Sequence, residues 1–408
     1  MKLKEITLHD IEDAYEHKIK QYINYTQIIY ADKISEMTGN NIFLKLENLQ
    51  KTGSFKIRGA LNKIQNLTDN QKQQGLIAAS AGNHAQGVAL AAQLLGTKAT
   101  IVMPKTAPIA KIQATMDYGG KVILYREFFD DCLAYAKQLA KDQNLVLIHA
   151  YDDRDIIIGQ GSIGLEIHEE ISNIDYCLVP IGGGGVMSGV ATVLKSLNPK
   201  IKMIGVEAAN VNSYQQALEK GKPVPITAMP SIADGIAVKR TGELTYKILK
   251  KLVDEVVTVT EAEIANAVLF LLEKCKIVTE GSGAVGVAVM LSDKLKLHNK
   301  KKNVVCLITG GNVDITMIGN IINKGLFTQN RRQHFSIISN LGDNTLNEVS
   351  AIIKKNNAVV IKVNSTASRL ILDLQQMKLD FVIDTLGEEH SKKILQDLSD
   401  AGYQSLVN

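Results

Sequence analysis

The residue with the clearest chemical potential is a lysine between two apolar side chains, in the segment Thr52-Gly53-Ser54-Phe55-Lys56-Ile57. Phe55 and Ile57 can shield the amine of Lys56 from water, and desolvation disfavours the charged ammonium form. A neutral amine is a nucleophile that can form a Schiff base with an aldehyde. Taken alone, the segment favours the simpler alternative of a solvated lysine at a helix start, because most lysines are exposed.

A second segment, Ser80-Ala81-Gly82-Asn83-His84, ends a predicted strand and begins a predicted helix. Its small residues let backbone N–H groups converge, and the helix N-terminus adds partial positive charge. Such a turn would suit an anion, for example a substrate carboxylate. An ordinary strand-to-helix turn with Asn83 as the N-cap explains this segment about equally well.

Four consecutive glycines, 182–185, stand between another predicted strand and helix. Their backbone can wrap around a phosphate group, with the helix dipole behind it. The run is not a GxGxxG dinucleotide fingerprint with a following acidic partner, nor a GxxxxGK[ST] nucleotide loop. A merely flexible turn is a poor explanation, because four glycines cost folding entropy.

A threonine, Thr309, follows the last strongly apolar run and precedes Gly310, Gly311 and Asn312. Ligands of open α/β sheets bind at the carboxyl ends of the strands, and a hydroxyl there can form a hydrogen bond without carrying charge. Together the four segments require a ligand with an aldehyde, a phosphate and a polar ring. Pyridoxal 5′-phosphate has all three.

The elements that must position these segments alternate between short β-branched runs and longer helical patterns, from about residue 75 to 310. Near-continuous apolar runs at 176–180, 202–207 and 304–309 fit parallel strands covered on both faces. The other predicted strands are 75–80, 99–103, 121–125 and 145–148, and the predicted helices are 85–95, 131–142 and 261–276, the last with a capping box. The alternation predicts a doubly wound α/β fold with parallel sheets.

The order and spacing of the four segments resemble the threonine dehydratase (threonine ammonia-lyase) branch of the fold type II, tryptophan-synthase-β-like pyridoxal-phosphate enzymes. The resemblance covers roughly residues 20–325 and includes Lys45-Leu46-Glu47-Asn48-Leu49-Gln50 ahead of the lysine segment. It implies a catalytic domain over residues 1–325, with two subdomains. The smaller, mobile subdomain would span about residues 50–148.

The resemblance also implies a role for each segment. Lys56 would hold the cofactor as a Schiff base and, once released, remove the α-proton of the substrate. The glycines would hold the phosphate, Asn83 the ring hydroxyl and Thr309 the ring nitrogen. The implied cofactor-binding residues are Phe55, Lys56, Asn83, Gly182, Gly183, Gly184, Gly185 and Thr309. The implied substrate-binding residues are Ser80, Gly82, Asn83 and His84, with packing at the helix start as an equal alternative for His84.

The activity that the resemblance implies is deamination of the amino acid L-threonine to 2-oxobutanoate and ammonia, with L-serine converted to pyruvate as a secondary activity. Ala81 stands where serine racemases of the family carry a serine, so racemisation is disfavoured for want of a hydroxyl that reprotonates the α-carbon. Two alternatives remain open: a serine racemase or serine dehydratase, and a catalytically silent amino-acid sensor. Intact Lys56, Asn83 and Thr309 argue against the sensor.

Two positions depart from the family pattern. An early Thr-Pro-Leu reads Thr26-Gln27-Ile28 here. Glu207 matches the acidic ligand of a cation site in the racemases, but Ser213 stands where a carboxylate is expected. We therefore assign no metal.

The composition bounds the class of protein. The 408 residues carry 46 basic and 42 acidic side chains, a balance that predicts neither a nucleic-acid-binding nor a membrane-surface protein. No apolar run is long enough to span a membrane. The four cysteines form no CxxC pattern, which favours free thiols in a reducing, cytoplasmic compartment.

The last 80 or so residues differ in pattern and predict a separate βαββαβ module behind a linker at 329–333. Residues 330–408 resemble an ACT domain in the order of their elements. The proline of the usual first-loop motif is absent, and we expect Asn344 at its glycine position, with a left-handed backbone. The resemblance implies feedback by isoleucine or valine, against the equal alternative of a ligand-free dimerisation module. In either case pairing of sheet edges implies a homodimer or homotetramer.

Overall fold

The computed structural model describes residues 5–295, 297, 301–366, 373 and 375–407. The chain forms two compact units, Met1–Asp314 and Ile315–Asn408. The stretch 329–333, predicted as a linker, does not join these units. It lies inside the second one, where residues 329–331 follow a helix that ends at Thr328 and residues 332 and 333 begin a strand.

The first unit contains two sheets. The strands of the larger sheet are β1 (Ile28–Tyr30), β2 (Asn41–Leu46), β7 (Tyr176–Pro180), β8 (Lys202–Ala208), β9 (Glu255–Val259) and β10 (Asn303–Ile308). Those of the smaller sheet are β3 (Leu76–Ala79), β4 (Ala99–Met103), β5 (Lys121–Leu124) and β6 (Val146–Leu147). Their orders are β1-β2-β10-β7-β8-β9 and β5-β4-β3-β6, and all neighbours are parallel except β1 and β2. The predicted α/β fold with parallel sheets is confirmed.

Helices cover the sheets because the apolar strands need packing partners on both faces. The helices of the first unit are α1 (Leu8–Ala14), α2 (Asp32–Thr38), α3 (Lys56–Gln65), α4 (Asp69–Gln74), α5 (Asn83–Leu94), α6 (Ile109–Asp117), α7 (Phe129–Asp142), α8 (Arg154–Glu170), α9 (Gly185–Leu197), α10 (Ser213–Lys220), α11 (Glu243–Leu252), α12 (Glu261–Phe270) and α13 (Gly281–Leu291). Thr260 and Glu263 form the predicted capping box of α12. The helix predicted to reach residue 276 changes at Leu271 into a π-helical turn that ends at Cys275.

The second unit is a four-stranded antiparallel sheet with its helices. Its elements are α14 (Ile315–Thr328), β11 (Arg332–Asn340), α15 (Thr345–Lys355), β12 (Val359–Thr366), β13 (Gln376–Asp384), α16 (Glu388–Asp400) and β14 (Ser405–Val407). The strand order is β12-β13-β11-β14. After α14 the chain has the βαββαβ order that the sequence predicts, and its core includes the stacked rings of Phe335 and Phe381, with centroids 5.4 Å apart.

The prediction of a left-handed backbone at Asn344 is wrong. Asn344 has φ −84° and lies at the N-cap position of α15. The left-handed residue is Gly342, with φ +98°. Glycine lacks the Cβ that makes this conformation costly, so the left-handed residue is Gly342, two residues before Asn344.

No helix in the described part of the chain is both long and apolar enough to cross a membrane. The four cysteines are free thiols: Cys132, Cys177 and Cys306 are buried and Cys275 is half-buried.

A closed network of buried charges joins β2, α3 and α8 beneath the lysine segment. Arg58 binds Glu47 through Nε and Nη2, each 2.8 Å from a carboxylate oxygen, and Glu166 through Nη1 and Nη2 at 2.7 and 2.9 Å. Lys45 completes the network with its Nζ 2.6 Å from Glu166. All four side chains are fully buried, and their two positive and two negative charges cancel.

The electrostatics of this network follow from its burial. Desolvation alone would lower the pKa of Arg58, but the charges of Glu47 and Glu166 outweigh it and raise that pKa. Desolvation also opposes ionisation of Glu166, whose pKa is nevertheless lowered by Arg58 and Lys45. Arg58 and Glu166 therefore stay charged because their partners are present.

Replacing Arg58 with methionine is expected to lower the free energy of unfolding by about 3–5 kcal/mol, because the change leaves two buried carboxylates with a single cation. Urea unfolding of the full chain, followed by far-ultraviolet circular dichroism, measures the loss. The matched control is Lys33→Met, which breaks an ion pair with Glu36 whose side chains are 60% and 65% exposed. That change should cost less than about 1 kcal/mol. Similar losses in the two variants would contradict the prediction.

Candidate active site

Lys56 is the first residue of α3 and is half-buried. Its Nζ donates a hydrogen bond of 3.3 Å to the carbonyl oxygen of Ala150. Burial lowers its pKa to about 8, although the charge of Glu280 opposes the change. Helix α5 packs against the start of α3 at Gly87, where a Cβ atom would lie 3.0 Å from the carbonyl carbon of Lys56. The structure therefore supports an amine that is neutral in an appreciable fraction near pH 8.

The four glycines 182–185 are buried and lead into the N-terminus of α9. Gly184 has φ +93°, a conformation that favours glycine. At Gly183 a Cβ atom would lie 2.2 Å from the ring of Tyr151, so no other residue fits there without displacing that ring. The close contact brings the glycine turn against a tyrosine that the sequence analysis did not identify.

Lys56 and the glycine turn contact the same short segment, 149–151, between β6 and α8. Lys56 bonds to Ala150, and Tyr151 covers Gly183. His149 holds this segment in shape, because its Nδ1 accepts the backbone N–H groups of Tyr151 and Asp152 at 3.2 and 2.9 Å. Lys56 and Gly183, more than 120 positions apart in the sequence, thus contact neighbouring residues of this segment.

Thr309 lies directly beside the lysine segment. Its carbonyl oxygen accepts the backbone N–H of Phe55 at 3.2 Å, and Ser54 forms an isolated β-bridge with Gly310. The Thr309 side chain is only 3% exposed. Phe55 is also buried, and its ring centroid lies 5.1 Å from the Nζ of Lys56.

The segment 80–84 forms the N-terminal turn of α5. The hydroxyl oxygen of Ser80 accepts the backbone N–H of Gly82 at 3.2 Å, and α5 begins at Asn83. His84 points elsewhere: its Nε2 lies 3.1 Å from the carbonyl oxygen of Ile148. Burial, together with the charge of Lys56, lowers the pKa of His84 to about 3, so the ring is neutral. The contact with Ile148 is consistent with packing at the helix start, and a substrate-binding role for His84 stays a prediction.

Two polar residues that the sequence analysis missed join the segments. Glu280 is 4% exposed and accepts hydrogen bonds from Nδ2 of Asn83, and Asn312 donates to Oδ1 of the same asparagine. Burial and the charge of Asp234 raise the pKa of Glu280 to about 7. A carboxylate directly before the small-residue helix start Gly281-Ser282-Gly283 is the signal that could have identified Glu280.

Glu207, considered above as a cation ligand, has another role in the structure. Its carboxylate accepts hydrogen bonds from the backbone N–H groups of Tyr214 and Gln215 at 2.8 and 2.9 Å. These bonds give partners to two backbone donors in the first turn of α10. The hydroxyl of Ser213 lies 3.4 Å from that of Thr241. Within the described residues, no group of three or more His, Cys, Asp or Glu side chains could hold a metal ion.

The site combines a shielded lysine amine, a buried glycine turn at a helix N-terminus and a neutral hydroxyl at the end of a parallel strand. An amine with a lowered pKa can bond covalently to an aldehyde, and the glycine turn presents backbone donors to a phosphate. Because Gly183 lies so close to the ring of Tyr151, there is no room for a side chain at this position of the turn. The arrangement defines a class of enzyme that holds a phosphorylated aldehyde cofactor.

Comparison with known proteins agrees with this class. Residues 19–310 match the family model described as pyridoxal-phosphate dependent enzyme. An L-threonine ammonia-lyase of Thermotoga maritima is 44% identical over 399 residues, 98% of each chain. A catabolic L-threonine dehydratase, TdcB, of Staphylococcus aureus is 50% identical over 325 residues, which cover 79% of this chain and 93% of the relative.

Solved structures give the same result. The processed form of threonine deaminase isoform 2 from Solanum lycopersicum has a TM-score of 0.72 at 37% identity, and the match covers 78% of this chain and 86% of that chain. Maize serine racemase has a TM-score of 0.73 at 36% identity, over 80% of this chain and 100% of that chain. The chain belongs to the pyridoxal-phosphate-dependent enzymes, with the fold type II architecture, and the predicted cofactor is confirmed.

Uptake of pyridoxal 5′-phosphate by the apoprotein is expected to become faster as the pH rises to about 8 and to level off above it. We expect this because only a neutral amine attacks an aldehyde, and the lowered pKa of Lys56, the predicted nucleophile, places the change near pH 8. Stopped-flow measurement of the cofactor's visible band at a series of pH values tests this.

For a lysine with an ordinary pKa, the rate of cofactor uptake would keep rising to about pH 10. A rate that continues to rise to that pH would contradict the prediction. The variant Lys56→Ala should lose the visible band and serves as the blank.

Proposed function

We propose that this chain is an L-threonine ammonia-lyase, which converts L-threonine to 2-oxobutanoate and ammonia and, more slowly, L-serine to pyruvate. The observation that carries the proposal is that the Lys56 amine and the glycine turn contact two consecutive residues, Ala150 and Tyr151. The relatives named as threonine ammonia-lyase and threonine dehydratase, at 44% and 50% identity, support this substrate class.

The chain's own residues would divide the work as follows. Backbone N–H groups of the glycine turn would hold the phosphate, the Asn83 amide would bind the ring oxygen, and the Thr309 hydroxyl would bind the ring nitrogen. When bound, the cofactor withdraws electrons from the α-carbon of the substrate. The Lys56 amine, kept near neutrality by burial, accepts the α-proton. Backbone donors of the turn 80–84 hold the substrate carboxylate at the N-terminus of α5.

A serine racemase is the second candidate, because the fold is as similar to maize serine racemase as to the tomato deaminase. Ala81 argues against it, since a methyl group cannot deliver a proton to the face of the α-carbon opposite Lys56. A catalytically silent sensor has no need of an amine whose pKa is lowered to about 8.

A steady-state assay tests the proposal. Purified holoenzyme with L-threonine should release 2-oxobutanoate and ammonia in equal amounts, and L-serine should give pyruvate with little D-serine by chiral chromatography. The variant Lys56→Ala should lose activity by about 10²–10⁴-fold or more, because its general base is gone. The variant Lys51→Ala, at an exposed lysine five residues earlier, should keep it. Rapid formation of D-serine, or no turnover of either substrate, would refute the proposal.

Residues 330–408 of the second unit are proposed as an ACT-like module for regulation or self-association, and the enzyme as cytoplasmic. The βαββαβ order of this part supports the module, and its edge strand β12 exposes Val359 and Ile361 to 58% and 48%. An apolar edge strand invites pairing with another copy. The occupant we propose is a second copy of the chain, which makes the enzyme a homodimer or homotetramer.

Two measurements on the full chain test this module. Isoleucine or valine should change the dependence of the rate on threonine concentration if the module binds an effector. The variant Ile361→Lys should lower the mass measured by light scattering, because a charge at this edge opposes pairing. The matched control is Lys362→Glu, which changes a neighbouring charge without removing an apolar contact. An unchanged mass for Ile361→Lys would contradict the proposed edge contact.

A further inference from the structure

The orientation of the Asn83 amide is fixed by a chain of hydrogen bonds that begins at a backbone carbonyl. The side-chain amide of Asn312 lies 2.8 Å from the carbonyl oxygen of Thr52, which can only accept a hydrogen bond. The atom of Asn312 at this position must therefore be its nitrogen. The same nitrogen lies 2.8 Å from one terminal atom of the Asn83 amide, which must then be the oxygen.

The nitrogen of Asn83 consequently faces Glu280. Its Nδ2 lies 2.8 and 3.0 Å from the two carboxylate oxygens of Glu280, which accept when the group is ionised. An amide nitrogen carries two hydrogens. Both acceptor oxygens belong to one carboxylate and lie on the same side of Nδ2, so a single hydrogen can be shared between them. The other hydrogen is then left for a ligand, while the carboxylate prevents the amide from flipping.

Glu280 is itself held in place by backbone contacts. Its N–H donates to the carbonyl oxygen of Gly310 at 3.1 Å, and it occupies the N-cap position of α13. A Cβ atom on Gly310 would lie 2.7 Å from Oε1 of Glu280, and one on Gly235 would lie 3.1 Å from it. Glycine at these two positions is what allows the carboxylate to reach Asn83.

We propose that Glu280 and Asn312 are positioning residues that lock the amide of Asn83 with one N–H directed at the ring oxygen of the cofactor. The proposal rests on the assignment of Asn83 to that oxygen in the proposed function. The proposal implies that the hydrogen-bond acceptor atom of residue 280 helps to orient the Asn83 amide, in addition to any effect of its negative charge.

The charges around Glu280 come from three elements. Asp234 lies in the turn 234–236 and raises the pKa of Glu280, while Lys111 of α6 and Lys56 of α3 lower it. Lys111 also pairs with Asp234, with 2.7 Å between Nζ and Oδ2. Any change at residue 280 thus also acts directly on the nitrogen of Lys56, and the test must separate the two effects.

The readout is the pH midpoint of the bound cofactor's visible absorption band, measured without substrate. Glu280→Met removes both the charge and the acceptor and should shift this midpoint by about one pH unit, a tenfold change in proton affinity. Glu280→Gln removes the charge but keeps an acceptor oxygen, so it should shift the midpoint clearly less than Glu280→Met does. In the Asn83→Ala background Glu280→Met should produce a smaller shift than it does in the wild-type background, because only the direct effect of the charge remains.

A second variant tests the same lock without changing any charge. Asn312→Ala should shift the midpoint in the same direction as Asn83→Ala, because it releases the other end of the amide. The matched control is Glu207→Met, which removes another buried carboxylate that bonds only to α10. It should leave the midpoint unchanged, and circular dichroism confirms that each variant is folded.

Equal shifts for Glu280→Met and Glu280→Gln, or the same shift for Glu280→Met with and without Asn83, would overturn the proposal in favour of a direct charge effect. An unshifted midpoint in Asn312→Ala would also overturn it. These results leave the proposed function standing if the wild-type enzyme turns over threonine. A wild-type protein without a visible band would instead refute the proposed function.

Discussion

The buried ion network of Arg58, Glu47, Glu166 and Lys45 is the constraint on which the rest of the first unit depends. It fixes the first turns of α3, two residues after Lys56, against Glu47 directly after β2 and against α8. Apolar packing alone would allow α3 to slide along its own axis. A bidentate guanidinium that must satisfy two carboxylates allows one position only.

This fixed helix makes the remaining contacts possible. With the start of α3 in place, Gly87 admits α5 to the backbone of Lys56, and Phe55 pairs with Thr309 at the end of β10. The segment 149–151 then touches both the lysine and the glycine turn. The amine's lowered pKa is a result of this packing, because burial is its largest cause.

The sequence was sufficient for features that depend on local pattern. Strands such as Ala99–Met103 and Tyr176–Pro180 were predicted with their observed bounds because they are short apolar runs with clear ends. Glu280 and Asn312 could not be found in this way, since they lie 197 and 229 positions from Asn83, and only the folded sheets bring them together. Gly342 rather than Asn344 adopts the left-handed conformation, because glycine has no Cβ and adopts it without strain.

The shielding of Lys56, if this residue binds the cofactor as proposed, also has a cost for the enzyme without its cofactor. An amine that is largely neutral in mildly alkaline water does not distinguish a vitamin-derived aldehyde from a reducing sugar or a metabolic by-product that carries a carbonyl group. Under the proposed assignment of the glycine turn to the phosphate, selectivity would come from that contact, which a carbonyl compound without a phosphate lacks. A chain that has not yet taken up its cofactor would then be more exposed to glycation at Lys56 than a loaded one.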